Sequence, residues 1–348
     1  MKQTNELLIV TGEEVRTLLD GREEDIIHVV GEAYKVHEQG ESVLPHSSFL
    51  RFPDNNLNRI MALPAFLGGS FNVAGIKWVA SFPENLQQGI DRASATLVLN
   101  SVATGRPEVF MDASIINGKR TAASAALAAQ CLHADKKLTS AGLLGCGFIN
   151  FEIVRFLIAV FPELKCLVLY DIDINRANFF KEKIHQQFEQ IEKVTIAKGI
   201  PAILSETKLL SLATTVGTPY LADISPLQPS STILNISLRD MTPEVILQGD
   251  NVVDDADHVC RAQTSLHLVE QQVGHRDFIR CSLASILLDK EPARKMSTDI
   301  SIFSPFGLGI LDIALAQLVS QFAKEAEKGM RVPSFLPESW FKMTGTID

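Results

Sequence analysis

The turn Gly145-Cys146-Gly147 and the carboxylate of Asp171, roughly two dozen residues on, form the clearest chemical pattern in the chain. Apolar residues 141–144 stop at the glycines. Ile149, Ile153, Phe156, Leu157 and Val160 then fall on one face of a helix, and residues 166–170 form a second apolar run that ends at Asp171. Strand, glycine turn, helix, strand and acid in that order fit a dinucleotide-binding βαβ unit. Gly145 permits the tight turn and Gly147 lets a pyrophosphate come close, while the helix N-terminus offers N–H donors and partial positive charge. Asp171 is placed to accept both hydroxyls of an adenosine ribose and to repel a 2′-phosphate, so NAD is expected rather than NADP. The third fingerprint position holds Asn150. The helix must therefore stand slightly further from the sheet or turn Asn150 outward. A plain α/β core turn that binds nothing is the competing interpretation.

Other candidates are single residues. Asp240 closes the run 232–235 and the loop 236–239, at the carboxyl edge where open α/β sheets bind ligands. Acid/base work is open to it, and so is capping of the helix that Thr242-Pro243-Glu244 announces. Lys77 stands in GIKWV (75–79), a setting from which an ammonium ordinarily snorkels to the surface. Arg120 sits one turn into a helix starting near Ile115, where it can grip a carboxylate with two parallel donors or simply face solvent. The eight histidines form no metal-ligand spacing, and His46 is best taken as structural. Neither Ser/His/Asp nor Cys/His order supports a covalent nucleophile.

Two kinds of region must position these residues. The first is mixed α+β. It has a strand at 7–10, a capping box at Thr11 and Glu14 opening a helix to Leu19, and an amphipathic helix at 25–39 ended by Gly40. Strands follow at 43–52 and 59–63 around a polar turn at 53–58, then at 73–81, 95–100 and 109–111, with an alanine-rich helix over 115–132. From Lys137 strands alternate with helices: 141–144, 167–171, 194–197, 210–214, 232–235 and 251–253 are strands, and 264–271 and 278–287 look helical. A late strand at 301–303 precedes a long helix at 310–329 that packs back on the first region. The expected class is α/β: a Rossmann-type doubly wound parallel sheet over 133–309, inserted into a discontinuous α+β domain of residues 1–132 and 310–348. The 348 residues are 46% hydrophobic and 21% charged, an ordinary globular balance. A net charge of −9 argues against nucleic-acid or anionic-membrane partners. No signal pattern and no run approaching ~20 apolar residues is present. The five cysteines (131, 146, 166, 260, 281) are odd in number and mostly sit in apolar runs. A soluble cytoplasmic protein is expected.

Six stretches agree in order and spacing with one pattern: GIKWV (75–79), ATGRPEVFMDASIINGKRTAAS (103–124), LLGCGF (143–148), LATTVGTPYL (212–221), NISLRD (235–240) and FSPFGLGILDIA (303–314). Through them the chain resembles the ornithine cyclodeaminase/μ-crystallin family over nearly its whole length. GIKW, DRASA (91–95), the NIS-x-x-D stretch and SPFG resemble the branch of N-(2-amino-2-carboxyethyl)-L-glutamate dehydrogenases, which supply L-2,3-diaminopropionate for siderophores and antibiotics.

The resemblance implies an NAD-binding domain inserted into a substrate-binding and dimerisation domain, a homodimer, and an NAD-dependent oxidoreductase acting on a CH–NH bond of an amino-acid adduct. It implies that Lys77 and Arg120 hold substrate carboxylate, and that Lys77 and Asp240 are catalytic, Asp240 by handling the amine and activating water. Cofactor contacts are implied for Gly145, Gly147, Phe148, Ile149, Asp171, Thr214, Thr215, Asn235, Ile236, Ser237 and Pro305. Three departures narrow the substrate. Cyclodeaminases follow their aspartate with Pro-Gly-Lys, whereas this chain has Met241-Thr242-Pro243-Glu244. Arg92 replaces a small hydroxyl residue and suits an additional carboxylate, or else is a solvated turn arginine. A family arginine two residues after a proline is here Ser47, for which Arg51 on the same strand can substitute. Cyclodeaminase, ketimine reductase and alanine dehydrogenase remain alternatives in the same class, and a non-catalytic ligand-binding crystallin is the alternative from another.

Overall fold

The computed structural model describes residues 5–296 and 299–337. The chain forms two compact units: one from residues 1–20, 42–117 and 312–348, the other from 21–41 and 118–311. Unit one opens with β1 (Leu7–Val10) and helix α1 (Gly12–Leu19). The Thr11 hydroxyl accepts from the Glu14 N–H, and the Glu14 carboxylate accepts from the Thr11 N–H at 2.9 Å, so both arms of the expected capping box form. Helix α2 (Glu23–Glu38) belongs to unit two. The chain returns to unit one for β2 (Ser42–Val43), β3 (Ser48–Phe52), β4 (Asn55–Leu67), β5 (Val73–Ser81), a 3-10 turn (Pro83–Gln88), β6 (Ala93–Asn100) and β7 (Pro107–Asp112). Alternation along β5 buries Val73, Lys77, Val79 and Ser81 and exposes Trp78, as expected for a strand with one face on a core. The polar turn expected at 53–58 shrinks, because β4 already begins at Asn55.

Helix α3 (Ser114–Leu132) carries the chain into unit two. There the order is β8 (Ser140–Leu144), α4 (Phe148–Val160), β9 (Cys166–Tyr170), α5 (Ile174–Gln187), β10 (Lys193–Ile196), α6 (Ile200–Glu206), β11 (Leu209–Leu212) and β12 (Thr232–Asn235). Then come α7 (Pro243–Gln248), β13 (Asp250–Val253), α8 (Ala256–Val259), α9 (Ser265–Val273), β14 (Ile279–Ser282), α10 (Leu283–Leu287) and β15 (Ser301–Ser304). Helix α11 (Gly309–Glu325) returns to unit one, which ends on β16 (Met330–Val332). The unit-one sheet runs β16-β1-β7-β6-β5-β4-β2, with β3 also on β4. The unit-two sheet is parallel, in the order β10-β9-β8-β11-β12-β15-β13-β14. Its strand order reverses at β8, which lies between β9 and β11. Open α/β sheets bind ligands at such a switch point, outside the carboxyl ends of the strands.

One finding differs from the expectations. The helix expected over 278–287 is a strand, β14, followed by the short helix α10. Arg280 explains the strand: it reaches across to Asp250 on β13, Nε to Oδ1 at 2.6 Å, and the two strands pair in parallel. The late strand expected at 301–303 is β15, and it inserts between β12 and β13. The two compact units exchange the chain after residues 20, 41, 117 and 311. α2 packs within unit two, where the Tyr34 and Ser124 hydroxyls meet at 2.6 Å and Glu38 accepts from Ser282 and Ser285. Among the described residues no helix is long and apolar enough to cross a membrane.

Candidate active site

In unit two the glycine turn lies at the switch point. Gly145 has φ +93°, and a Cβ there would sit 2.5 Å from the Ala213 carbonyl oxygen at the end of β11, so only glycine fits. A Cβ on Gly147 would meet nothing within 4 Å. Gly147 is the N-cap of α4 and provides no side-chain acceptor, so the first-turn N–H groups of Phe148 and Ile149 face outward from an uncapped helix end. Phe148 is half exposed, with its ring lying against Gly118. The Asp171 carboxylate accepts from the backbone N–H of Cys146 at 2.8 Å and of Asp173 at 3.0 Å, one on each oxygen. Each oxygen keeps a lone pair for another donor. Burial, reinforced by the Asp171 charge, pushes the Cys146 thiol up to about 12, so this cysteine is inert.

Asn150 turns inward, not outward. It is fully buried; its amide donates to the carbonyls of Leu144 at 3.1 Å and Gly145 at 2.6 Å and accepts from the Ser211 hydroxyl at 2.7 Å. It thus ties the end of β8 to β11, a task that glycine or alanine at this fingerprint position cannot perform.

Asp240 is fully buried in a cage of hydroxyls. Thr214 donates to Oδ1 at 2.6 Å, Tyr220 donates to the same oxygen at 3.1 Å, and Ser237 donates to Oδ2. Backbone N–H groups of Tyr220 and Leu221 bond the Asp240 carbonyl, which holds the two loops together. The helix after it, α7, has Thr242 as its N-cap, so Asp240 is not a helix cap. Tyr220 was not anticipated as part of the site; nothing short-range in the sequence links it to Asp240. Burial, with the Asp240 charge second, raises its phenol well above the usual range, so it remains a proton donor. Thr214 also abuts Gly145, whose Cβ would lie 3.3 Å from the Thr214 Cα. The glycine turn and Asp240 are therefore separated by one residue. Thr215 is exposed, while Ile236 and Ser237 are half-buried, their N–H groups on the Leu212 carbonyl. Asn235, fully buried, donates to Ser304 at 2.9 Å, and its Oδ1 has no hydrogen-bond partner.

Pro305 is buried at the start of a loop held by Asp254, which accepts from the N–H of Phe306 at 2.8 Å and of Gly307 at 2.7 Å. Burial pushes the Asp254 carboxyl up to about 6 against those bonds. Gly307 has φ +92°, and a Cβ there would strike the Arg120 guanidinium at 2.6 Å. Arg120 is thus a buried arginine seated on this loop, not a solvent-facing helix residue.

In unit one Lys77 does not snorkel. It is 1% exposed, and its ammonium donates to Asp312 at 2.7 Å and Asn117 at 2.9 Å. Ser47 lies half-buried just before β3, and Arg51 is exposed on β3 with its guanidinium 5.6 Å from the Phe49 ring centre. Arg92 is half-buried at the entry to β6, its carbonyl accepting from the Phe82 N–H at 2.8 Å. Arg59, which the sequence did not single out, is the β4 partner of Arg51.

The fold and these motifs match known proteins. The model of the ornithine cyclodeaminase/mu-crystallin family covers residues 7–327. N-((2S)-2-amino-2-carboxyethyl)-L-glutamate dehydrogenase of Staphylococcus aureus is 28% identical over 309 residues, 87% of this chain and 91% of the relative. Alanine dehydrogenase of Archaeoglobus fulgidus is 26% identical over 95% of this chain and 99% of its own length. The solved structure of Thermococcus litoralis Delta(1)-pyrroline-2-carboxylate reductase, in complex with NADH and L-proline, superposes with a TM-score of 0.86 at 21% identity, covering 93% of this chain and all of that one. The chain belongs to the ornithine cyclodeaminase/mu-crystallin family.

Proposed function

We propose that the protein is an NAD-dependent oxidoreductase that cleaves N-(2-amino-2-carboxyethyl)-L-glutamate to L-2,3-diaminopropionate and 2-oxoglutarate. The observation that carries this reading is the contact chain from Gly145 through Thr214 to Asp240, which sets a buried carboxylate beside a dinucleotide-type turn at the switch point. The 28% identical dehydrogenase supports the choice of substrate. The residues present fit the cofactor: open space over Gly147, uncapped N–H groups at α4, and free lone pairs on Asp171.

When bound, the nicotinamide supplies a hydride acceptor for the Cα–H of the glutamate part. The chain's own residues do the rest. Lys77, Arg92 and Arg120 hold substrate carboxylates; orientation of this kind contributes several kcal/mol, on the order of 7 where it is complete. Water adds to the resulting C=N carbon and gives up its proton toward Asp240. Because that carboxylate is enclosed, the proton passes through one of its hydroxyl neighbours, which donates to Asp240 and accepts from water in the same movement. The carbinolamine then breaks its C–N bond, the amine leaving as diaminopropionate and the carbon as 2-oxoglutarate. One hydride and one proton are released per turnover, so the balance closes with NAD⁺ and water as co-reactants. Assembly as a homodimer in the cytoplasm, in the service of siderophore or antibiotic synthesis, belongs to the same proposal.

The test is incubation of the purified protein with NAD⁺ and a panel of N-substituted glutamates, L-alanine and L-ornithine, with NADH followed by absorbance and products by mass. NADH with 2-oxoglutarate and diaminopropionate from the adduct is the expected result. Proline and ammonia from ornithine would replace this reading with cyclodeamination, and NADH from L-alanine alone would replace it with alanine dehydrogenation. NADH binding without turnover on any of them would mark a non-catalytic binder.

A further inference from the structure

Among the described residues of unit one, four buried side-chain polar atoms have no hydrogen-bond partner: Asn58 Oδ1, Arg59 Nε, Ser81 Oγ and Arg92 Nε. Such atoms are rare in folded proteins and call for an explanation. These four lie at one corner of the sheet. Arg59 pairs directly with Ser81 across β4 and β5, and with Arg51 across β3 and β4, and the residue after Ser81 bonds the Arg92 carbonyl. Arg51, Arg59 and Arg92 form no ion pair among the described residues.

This corner therefore gathers three guanidinium groups with no counter-charge. Burial lowers the proton affinity of Arg59 and of Arg92, and the neighbouring cation lowers it further, Arg51 acting on Arg59 and Arg59 on Arg92. Desolvated like charges destabilise a fold unless something neutralises them. The strand register also shows what would do so. Side chains alternate, so Ser81 and its partner Arg59 share the sheet face of Lys77, four positions back along β5, on the order of 13 Å. One strand face thus carries two separate cationic groups, the Lys77 ammonium paired with Asp312 and the Arg59 guanidinium that has no such partner among the described residues. That suits an acid with carboxylates at both ends, and a fork of N–H donors suits a carboxylate better than a point charge does.

We propose that Arg59 and Ser81, flanked by Arg51 and Arg92, form a second carboxylate-binding site that selects di- and tricarboxylic amino-acid substrates over monocarboxylic ones. This rests on the reading of the protein as an amino-acid oxidoreductase and assigns the specificity-determining residue within it.

The experiment is calorimetric titration of the full chain with 2-oxoglutarate and with pyruvate, in wild type, Arg59→Gln, Arg59→Lys and Ser81→Ala. Wild type should bind 2-oxoglutarate at least ~10-fold more tightly than pyruvate, about 1.4 kcal/mol. Arg59→Gln should erase that ratio, and Arg59→Lys and Ser81→Ala should each restore or retain part of it. A ratio preserved in Arg59→Gln overturns the site, as does a wild type with no preference. A change in sedimentation with the ratio intact also overturns it, making the corner a contact between copies of the chain. Should Arg59→Gln aggregate, Ser81→Ala and Arg59→Lys decide the matter. Turnover separates the two proposals. If wild type oxidises no N-substituted glutamate yet loses its 2-oxoglutarate preference in Arg59→Gln, the reaction is wrong and the site stands. If the adduct is oxidised with unchanged KM in Arg59→Gln, the reaction stands and the site falls.

Discussion

Replacing Asp240 with asparagine separates catalysis from architecture at this position. Asparagine keeps the Oδ1 that accepts from Thr214 at 2.6 Å and Tyr220 at 3.1 Å. The amide takes the place of Oδ2, facing Ser237. That hydroxyl already lies 3.0 Å from the Leu212 carbonyl, so it can turn its proton there and accept from the new amide instead. Every buried polar group therefore keeps a partner. Hydrogen bonds to a charged group contribute about 1.5–3 kcal/mol each and neutral ones about 0.5–1.5, but asparagine also removes the cost of burying a charge. The net change in folding stability should be within ~2 kcal/mol. Alanine would be a poor choice, since Thr214 and Tyr220 would both lose their acceptor. Loss of the base should lower turnover about 10²–10⁴-fold, equivalent to ~3–5 kcal/mol of barrier. Steady-state NADH production from the adduct measures the first effect, and titration with NAD⁺ should show binding within ~2-fold of wild type, because the nucleotide is held chiefly at Gly145, Gly147 and Asp171. Capping offers no rival account, as Thr242 and not Asp240 stands at the N-cap position of α7. Turnover within ~3-fold of wild type would refute the assignment and leave the water without a base.

Asp171→Ser should narrow a preference for NAD⁺ over NADP⁺ that is at least ~10-fold in wild type, read as the ratio of kcat/KM values; equal use of both by wild type would remove Asp171 from the ribose site. Asn150→Ala installs a residue usual in glycine fingerprints, yet it should lower stability by about 2–4 kcal/mol, since Ser211 and the Leu144 and Gly145 carbonyls lose a buried partner; an unchanged urea midpoint would show that water replaces the amide. His133 is buried against Phe161 and Thr232, and burial, with Arg294 second, depresses it from 6.5 to about 4. Its neutral form is the one that fits, so the unfolded chain takes up the proton first. Stability should be full above pH 6.5 and fall by up to roughly 3 kcal/mol as pH drops to about 4, and His133→Gln should flatten that slope in urea unfolding.

Short-range pattern was enough for much of the protein. The capping box at Thr11, the strand over Val73–Ser81 and the helix over Ser114–Leu132 each depend on residues a few positions apart, and the glycine turn meets Asp171 at the end of the very next strand. Periodicity and turn chemistry act over that range, so these elements were legible. Family motifs added Lys77, Arg120 and Asp240, but not what surrounds them. The Asp240 cage joins Thr214, Tyr220 and Ser237 from two loops, and only the parallel pairing of β11 with β12 brings those loops side by side. Asn150 pointed inward because Ser211 on the neighbouring strand offers its hydroxyl, a partner 61 positions away. The strand β14 was hidden because its register on β13 depends on the ion pair from Arg280 to Asp250 rather than on alternation. Arg59 stayed invisible for the same kind of reason. Nothing near it in the sequence marks it, and it becomes part of a cationic corner only when β3, β4 and β5 pair in one register, which non-local hydrogen bonding decides.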